Sequence, residues 1–253
     1  MCGFWRNNLG QETRQLENRM RILIASDLHA NLEAVTALPK DYDELWVLGD
    51  LVNYGPNPAE VVDFVQGHAA VVVRGNHDHL AGFGGEPRCS APFRKMAEEM
   101  GTFTAGALSG RHKAYLRSLP LTASRSSGGT DFFLCHATPE DPLYDYCPPE
   151  SERWPYLLHR TSAACLLVGH THLQFRRSAG DKTVVNPGSV GQAKMGRPEA
   201  CWALLDGDKI TFHSAAYDVS TTIERLQRLD VSPDVRDGLC AVLLTGAKPV
   251  VDL

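Results

Sequence analysis

The run Ile22-Leu23-Ile24-Ala25-Ser26-Asp27-Leu28-His29 decides the fold. Its apolar half reads as a short buried strand, and the chain leaves that strand directly onto a carboxylate and an imidazole. The arrangement recurs four times. Leu45 to Leu48 ends on Gly49-Asp50, and Ala69 to Val73 ends on Arg74-Gly75-Asn76-His77-Asp78. Asp131 to Cys135 ends on His136, and Cys165 to Val168 ends on Gly169-His170-Thr171-His172. Helical stretches separate the first three runs. Residues 31–38 have Asn31 as N-cap and Pro39 as stop, and residues 58–66 carry Pro58 in the first turn. Strand, helix, strand alternation predicts βαβ units, a largely parallel sheet and the α/β class. Ligands bind beyond the carboxyl ends of such strands. The five run-ends are therefore expected to converge on one edge of one sheet.

The rest of the chain continues the pattern and then changes it. Helices are expected over 91–100, 111–118 and 150–159. Strands are expected over 182–186, 201–205 and 209–214, the last two joined through the turn Asp206-Gly207-Asp208. Helices over 219–229 and 233–243 close the chain. Segments 81–91 and 137–150 are rich in Gly and Pro and are expected to border a pocket. Met20-Arg21-Ile22-Leu23-Ile24 reads as a natural protein start. Residues 1–19 are accordingly set apart as an N-terminal extension or a mis-assigned start, and 20–253 are read as one domain.

Composition bounds the function. With 253 residues, 43% of them hydrophobic, the chain can bury a substantial core without staples. A formal net charge of −5 lacks the basic footprint of a nucleic-acid binder. No apolar stretch approaches the roughly 20 residues that span a bilayer, so no membrane partner is expected. Seven cysteines, an odd number with no C-x-x-C pair, read as reduced thiols in a cytoplasmic protein. Oligomeric state is not legible.

The strand-end residues Asp27, His29, Asp50, Asn76, His136, His170 and His172 are candidate metal ligands. Imidazole with carboxylate suits first-row transition metals, manganese foremost, with iron, cobalt, nickel or zinc as the other candidates. The lack of cysteine among them speaks against a structural zinc site. Seven donors exceed what one four-coordinate ion uses and fit two divalent ions. Two such ions carry +4 against −2 from Asp27 and Asp50, a net positive field for a phosphate. Two metals about 3.5–4 Å apart can bridge a water and lower its pKa towards neutrality. Each fragment alone is commonplace: Gly49-Asp50 is an ordinary turn sequence, and paired loop histidines are often surface residues. A chance reading fails only when it must place all of them after predicted strands. His68, His79, His112, His159 and His213 lack any partner pattern and read as surface or locally bonded histidines.

In these blocks the sequence resembles the calcineurin-like metallophosphoesterase superfamily. The blocks are Asp27-Leu28-His29, Gly49-Asp50, Gly75-Asn76-His77-Asp78, His136 and Gly169-His170-Thr171-His172, all in order between about residues 20 and 215. Finer similarity, in Asp27 to Asn31, Gly49 to Pro56 and Asn186 to Gly191, points to its small bacterial and archaeal phosphodiesterase-like branch. The resemblance implies a four-layer α/β/β/α sandwich of two mixed β-sheets. It implies that Asp27, His29 and His172 hold one metal and that Asn76, His136 and His170 hold the other. Asp50 would bridge them, and a metal-bridging hydroxide would attack phosphorus. His77 would face the phosphate as the catalytic residue, either protonating the leaving alkoxide or stabilising charge on the phosphoryl oxygens. Asn31, Asn53 and Arg74 are further candidates for contact with substrate.

The sequence also departs from the superfamily's protein phosphatases. Those carry Asp-Arg after the second block and Glu after the Asn-His pair, where this chain has Asn53-Tyr54 and Asp78. Loss of the arginine removes a bidentate phosphate clamp, and loss of the aspartate removes the usual partner of the catalytic histidine; both weaken a protein-phosphatase and a dinucleoside-tetraphosphatase reading. The expectation is a dinuclear metal-dependent phosphodiesterase acting on a small or nucleotide-like phosphate ester. The alternatives are a phosphomonoesterase or protein phosphatase, and a non-catalytic metal-binding scaffold of the same fold.

Overall fold

The computed structural model describes residues 20–89 and 91–247, so the extension expected at 1–19 lies outside the described residues. Three of the ligand-bearing runs become parallel neighbours: β1 (Arg21–Ala25), β2 (Glu44–Val47) and β3 (Ala69–Val72). On the other side of β1 lie β9 (Glu199–Asp206) and β10 (Lys209–Ala216), both antiparallel to their neighbours, giving the order β10-β9-β1-β2-β3. The other two ligand-bearing runs belong to a second sheet. It contains β4 (Thr122–Ser127), β5 (Thr130–Cys135), β6 (Cys165–Leu167), β7 (Gln174–Ala179) and β8 (Lys182–Pro187) in the order β4-β5-β6-β8-β7. The expectation of a single sheet is thus corrected. Three ligand-bearing ends come from one sheet and two from the other, and they meet across the gap between the sheets.

Burial on both faces explains why these strands read as unbroken apolar runs. Along β1, Leu23 and Ala25 face a helical layer, while Ile22 and Ile24 face the second sheet. The outer layer on the first sheet comprises α1 (Leu32–Thr36), α2 (Pro58–His68) and α5 (Gly110–Ser118), packed through Val35, Val61, Val65 and Leu116. The outer layer on the second sheet is α6 (Trp154–Leu158), packed through Trp154 and Leu157 against Leu166 and Val184. Between the sheets, Ile22, Trp46 and Val71 meet Phe132, Leu134 and Leu167. The result is a four-layer α/β/β/α sandwich. A separate helical cluster joins α4 (Arg94–Ala107), α7 (Val219–Leu226) and α8 (Pro233–Thr245) through Met100, Leu226 and Leu239. Of the six described cysteines, Cys135, Cys147, Cys165 and Cys201 are buried free thiols. No described helix is long and apolar enough to cross a membrane.

Trp46 ties the two sheets together. It is fully buried, and its ring meets Phe132 edge-on at 5.6 Å between centroids. Trp46→Ala should destabilise the protein by about 3–5 kcal/mol, because the cavity cannot close across two sheets. Urea unfolding checks this, and a change under about 1 kcal/mol would mean the sheets do collapse.

Two strands escaped the sequence reading. β4 (Thr122–Ser127) and β7 (Gln174–Ala179) are the edges of the second sheet and are largely polar, so no hydrophobic period marks them. A helix was also missed. The Asn76-His77-Asp78 segment reads as a turn but opens α3 (Asn76–Phe83).

Candidate metal centre

The ligand loops leave their strands through strained backbone. Asp27, His29, Ala30, Asp50, Asn53, Tyr54, His170 and His172 all have positive φ. These are the only non-glycine residues of that kind among the described residues, and all lie in the candidate ligand loops. Such conformations persist only where the surroundings over-determine them.

The surroundings are backbone hydrogen bonds. Asp78 places both carboxylate oxygens on the β2 and β3 loops. Oδ2 accepts from the Asp50 and Gly75 amides at 2.8 and 2.9 Å, and Oδ1 accepts from Leu51 at 2.8 Å. Burial, then the nearby Asp50 carboxylate, push Asp78 up to about 7 despite those donors. From behind, Asn186 Nδ2 donates to Gly169 O at 2.6 Å and Ser189 Oγ donates to Asp27 O at 2.7 Å. The Asn186 to Gly191 stretch therefore braces the ligand loops. Asp78 carries this positioning role, which the sequence reading did not assign.

The seven candidate ligands converge. Asp27 Oδ1 lies 3.3 Å from His172 Nε2 and 3.8 Å from His29 Nε2. Asp50 Oδ2 lies 3.1 Å from His136 Nε2 and 3.9 Å from His29 Nε2. His136 Nε2 also lies 3.1 Å from Asn76 Oδ1 and 3.2 Å from His170 Nδ1. Three groups of donors result, Asp27–His29–His172, Asp50–His136–His170 and, joining them, His29–Asp50–His77, each within the span of one cation.

The imidazoles are oriented for cations. His29, His136 and His172 turn Nδ1 to the carbonyls of Val52, Leu48 and Gln192 at 3.3, 2.8 and 2.6 Å. A carbonyl only accepts, so each Nδ1 carries a proton and Nε2 is the atom each ring turns to the centre; on the neutral rings of His29 and His172 it presents a lone pair. His29 Nε2 and His172 Nε2 then face each other at 3.0 Å. Two lone pairs at that distance repel unless a cation sits between them.

The titration behaviour agrees. Burial, then neighbouring imidazoles, hold His29 well below its usual range and take His170 down to about 3. Burial also lowers His172, aided by Lys194. These rings are neutral, as metal ligation requires. Burial would likewise raise Asp27, but His172 and His136 outweigh it and keep the carboxylate ionised. Asp50 stays well below the carboxylate range in the same way, through His136 and His77. His136 is the exception: burial lowers it, yet Asp50 overrides this and raises it to about 9.

Gly75 fits the same frame. A Cβ at that position would collide with the Asp50 carboxylate and amide. Gly75→Ala is therefore expected to weaken metal binding or activity about 10–100-fold, the size of a disturbed supporting contact. Metal titration of the folded variant checks it; unchanged affinity would show that the Asp50 loop can yield.

The other candidates divide. His77, half-buried on the first turn of α3, donates its amide to Asp50 Oδ1 at 2.9 Å, and its ring packs edge-on to Tyr54. Asn53 Nδ2 lies 2.7 Å from His77 Nδ1. Asn31 is an internal brace: it caps α1, donates to Gly191 O at 2.9 Å and accepts from Thr222. Its second Nδ2 hydrogen bond goes to Tyr217 Oη at 3.2 Å, so its polar atoms are all paired within the fold. Arg74 donates to Arg117 O at 3.0 Å and lies over the Phe83 ring, away from the ligand cluster.

A cavity of about 710 Å³ opens over the cluster, with Asp50, Asn76, His170 and His172 on its floor. Its walls include Arg88 and Cys89 from one Gly/Pro-rich segment and Tyr144 and Tyr146 from the other, with Phe93 and Lys194.

Comparison with known proteins gives a consistent picture. Residues 20–209 match the family model described as the calcineurin-like phosphoesterase superfamily domain. An uncharacterized protein of Methanocaldococcus jannaschii is 28% identical over 230 residues, 81% of this chain and 91% of that protein. The crystal structure of a metallophosphoesterase from Sphaerobacter thermophilus superposes with a TM-score of 0.76 at 28% identity, covering 90% of this chain and all of that one. A symmetrical bis(5'-nucleosyl)-tetraphosphatase of Psychromonas ingrahamii is 40% identical over only 70 residues, 24% of this chain and 25% of that enzyme.

Proposed function

The chain belongs to the calcineurin-like phosphoesterase superfamily, and from that premise we propose that it is a dinuclear metal-dependent phosphodiesterase acting on a small or nucleotide-like phosphate ester. Asp27, His29 and His172 would hold one ion, Asn76, His136 and His170 the other, and Asp50 both. The observation that carries this reading is the pair of donor groups flanking Asp50, with the facing lone pairs of His29 and His172 at 3.0 Å. When bound, two divalent ions supply Lewis acidity and a water of lowered pKa.

The chain's own residues supply the rest. An amide N–H of Asn53 can only donate, so His77 Nδ1 accepts and the neutral ring carries its proton on Nε2. Burial lowers the His77 pKa, which favours that neutral donor form. In that form the ring donates a hydrogen bond to a phosphoryl oxygen, and once protonated it can hand a proton to a leaving alkoxide and return to neutral. Arg88 and Lys194 give the larger cavity positive charge, and Tyr144, Tyr146 and Phe93 give it aromatic faces, which suits a nucleotide-like ester. Neither basic residue reproduces the arginine that follows the second block in protein phosphatases. That supports a singly charged diester over a dianionic monoester.

The test is an assay after chelator stripping and reloading with manganese, iron, cobalt, nickel or zinc. Bis(p-nitrophenyl) phosphate is expected to turn over faster than p-nitrophenyl phosphate, with manganese the best activator. A strong monoester preference overturns the diester reading, and inactivity with every metal favours a scaffold. Likeness to the tetraphosphatase over 70 residues makes a dinucleoside polyphosphate the second substrate to try. Metal should also stabilise the fold. At about 100 times the dissociation constant the gain is about 2.7 kcal/mol, a rise of a few degrees in Tm. Scanning calorimetry with and without manganese checks it, and an unchanged Tm would contradict metal binding.

A further inference from the structure

A second cavity, of about 430 Å³, lies between α3 and α4 and also has His77 in its wall. We propose that it is the subsite for a neutral, hydroxyl-bearing substituent of the substrate, such as a glyceryl or ribosyl group. This deepens the phosphodiester reading and rests on it. A phosphodiester has two organic substituents, and the protein has two cavities that share His77. An ester group held beside His77 places one substituent in each.

The chemistry of the smaller cavity identifies what it takes. Asn53 and Thr104 line it and are only 2% and 1% exposed. Neither Asn53 Oδ1 nor Thr104 Oγ1 has a hydrogen-bond partner among the described residues. Thr102, one turn face away on the same helix, does not share this condition, since its hydroxyl returns to the Glu98 carbonyl at 3.0 Å. A buried polar atom left unpaired destabilises the fold, and a ligand supplying the missing partner recovers that loss. Asn53 Oδ1 requires a donor and Thr104 Oγ1 can both give and accept, the complement of an alcohol. Ala97, Gly101 and Ala105 leave room along the α4 wall. At the mouth, Glu86 and Glu98 outnumber Arg94, so a further phosphate is repelled while hydroxyls find acceptors. The larger cavity, with Arg88 and Lys194, has the opposite character.

The experiment compares two matched diesters, glyceryl p-nitrophenyl phosphate and propyl p-nitrophenyl phosphate, on the manganese-loaded full chain. They share leaving group and charge and differ only in hydroxyls. The glyceryl ester is expected to have a kcat/KM about tenfold higher, the worth of one good hydrogen bond. Thr104→Val should bring that ratio towards one and should not lower Tm, because it removes an unpaired hydroxyl. Gly101→Leu should abolish the preference by filling the cavity; a Cβ there meets nothing nearer than Leu80 Cδ2 at 3.8 Å, and thermal unfolding of the variant checks that it stays folded. A wild-type ratio near one, or a ratio unmoved in both variants, overturns the proposal. If neither ester is hydrolysed, the phosphodiester reading fails, and the subsite is judged by binding of the same two compounds in thermal-shift titration. Tighter binding of the glyceryl compound that is lost in Thr104→Val then upholds the subsite, and equal binding of both refutes it.

Discussion

Asp50→Asn is expected to lower phosphodiester turnover by about 10³-fold or more, since one carboxylate orders both donor groups and several kcal/mol of charge stabilisation depend on it. Its Oδ2 lies 3.1 Å from His136 Nε2 and 3.9 Å from His29 Nε2, so it reaches both groups. Its Oδ1 meanwhile anchors the His77 amide at 2.9 Å. An amide keeps the shape and loses the charge, so the protein should fold while binding fewer ions. The check is metal stoichiometry by elemental analysis alongside kcat. Stoichiometry should fall from two towards one. A variant with two ions and activity within tenfold of the parent would remove Asp50 from its shared role.

His77→Ala should separate chemistry from metal binding. The side chain is not among the seven ligands, so metal content should hold while kcat falls about 10²–10⁴-fold, the usual contribution of a positioned acid. The loss should be greatest for an alkyl leaving group and much smaller for p-nitrophenoxide, which departs without a proton. Equal losses on both would assign His77 to charge stabilisation on the phosphoryl oxygens instead. Loss of metal would make it a ligand.

Much of this was legible in the sequence because each ligand follows an apolar run. A strand buried on both faces, such as Ile22 to Ala25, announces itself by composition, and the residue after it must lie at the sheet end. Asp27, Asp50, Asn76, His136, His170 and His172 were located that way. The division between two sheets was not visible in those runs, because a parallel strand looks the same whichever sheet it joins. The polar edge strands Thr122–Ser127 and Gln174–Ala179 were invisible for the opposite reason: beyond Ala123 and Phe175 they bring almost no apolar side chain to the core, so no period survives. The surroundings of Asn31 and Arg74, the further candidates for contact with substrate, are not written in the local sequence. Tertiary hydrogen bonds to Gly191, Thr222 and Arg117 decide where they point, and no local pattern encodes those. The roles of Tyr144, Tyr146 and Lys194 in lining the cavity were likewise unreadable, since loop residues carry no period. For Tyr144 and Tyr146 only the prolines of residues 137–150 point to a rim.

The left-handed backbone of eight residues around the centre has a consequence for how this protein should fail. Each such residue would relax if its neighbours let go, so these loops are the least secure part of an otherwise well-packed body. Damage anywhere that softens the sandwich, even a remote core substitution, is expected to surface first as leakage of ions while the sheets still stand. Inactivation on warming should accordingly precede unfolding, and an excess of manganese should close the gap between the two temperatures.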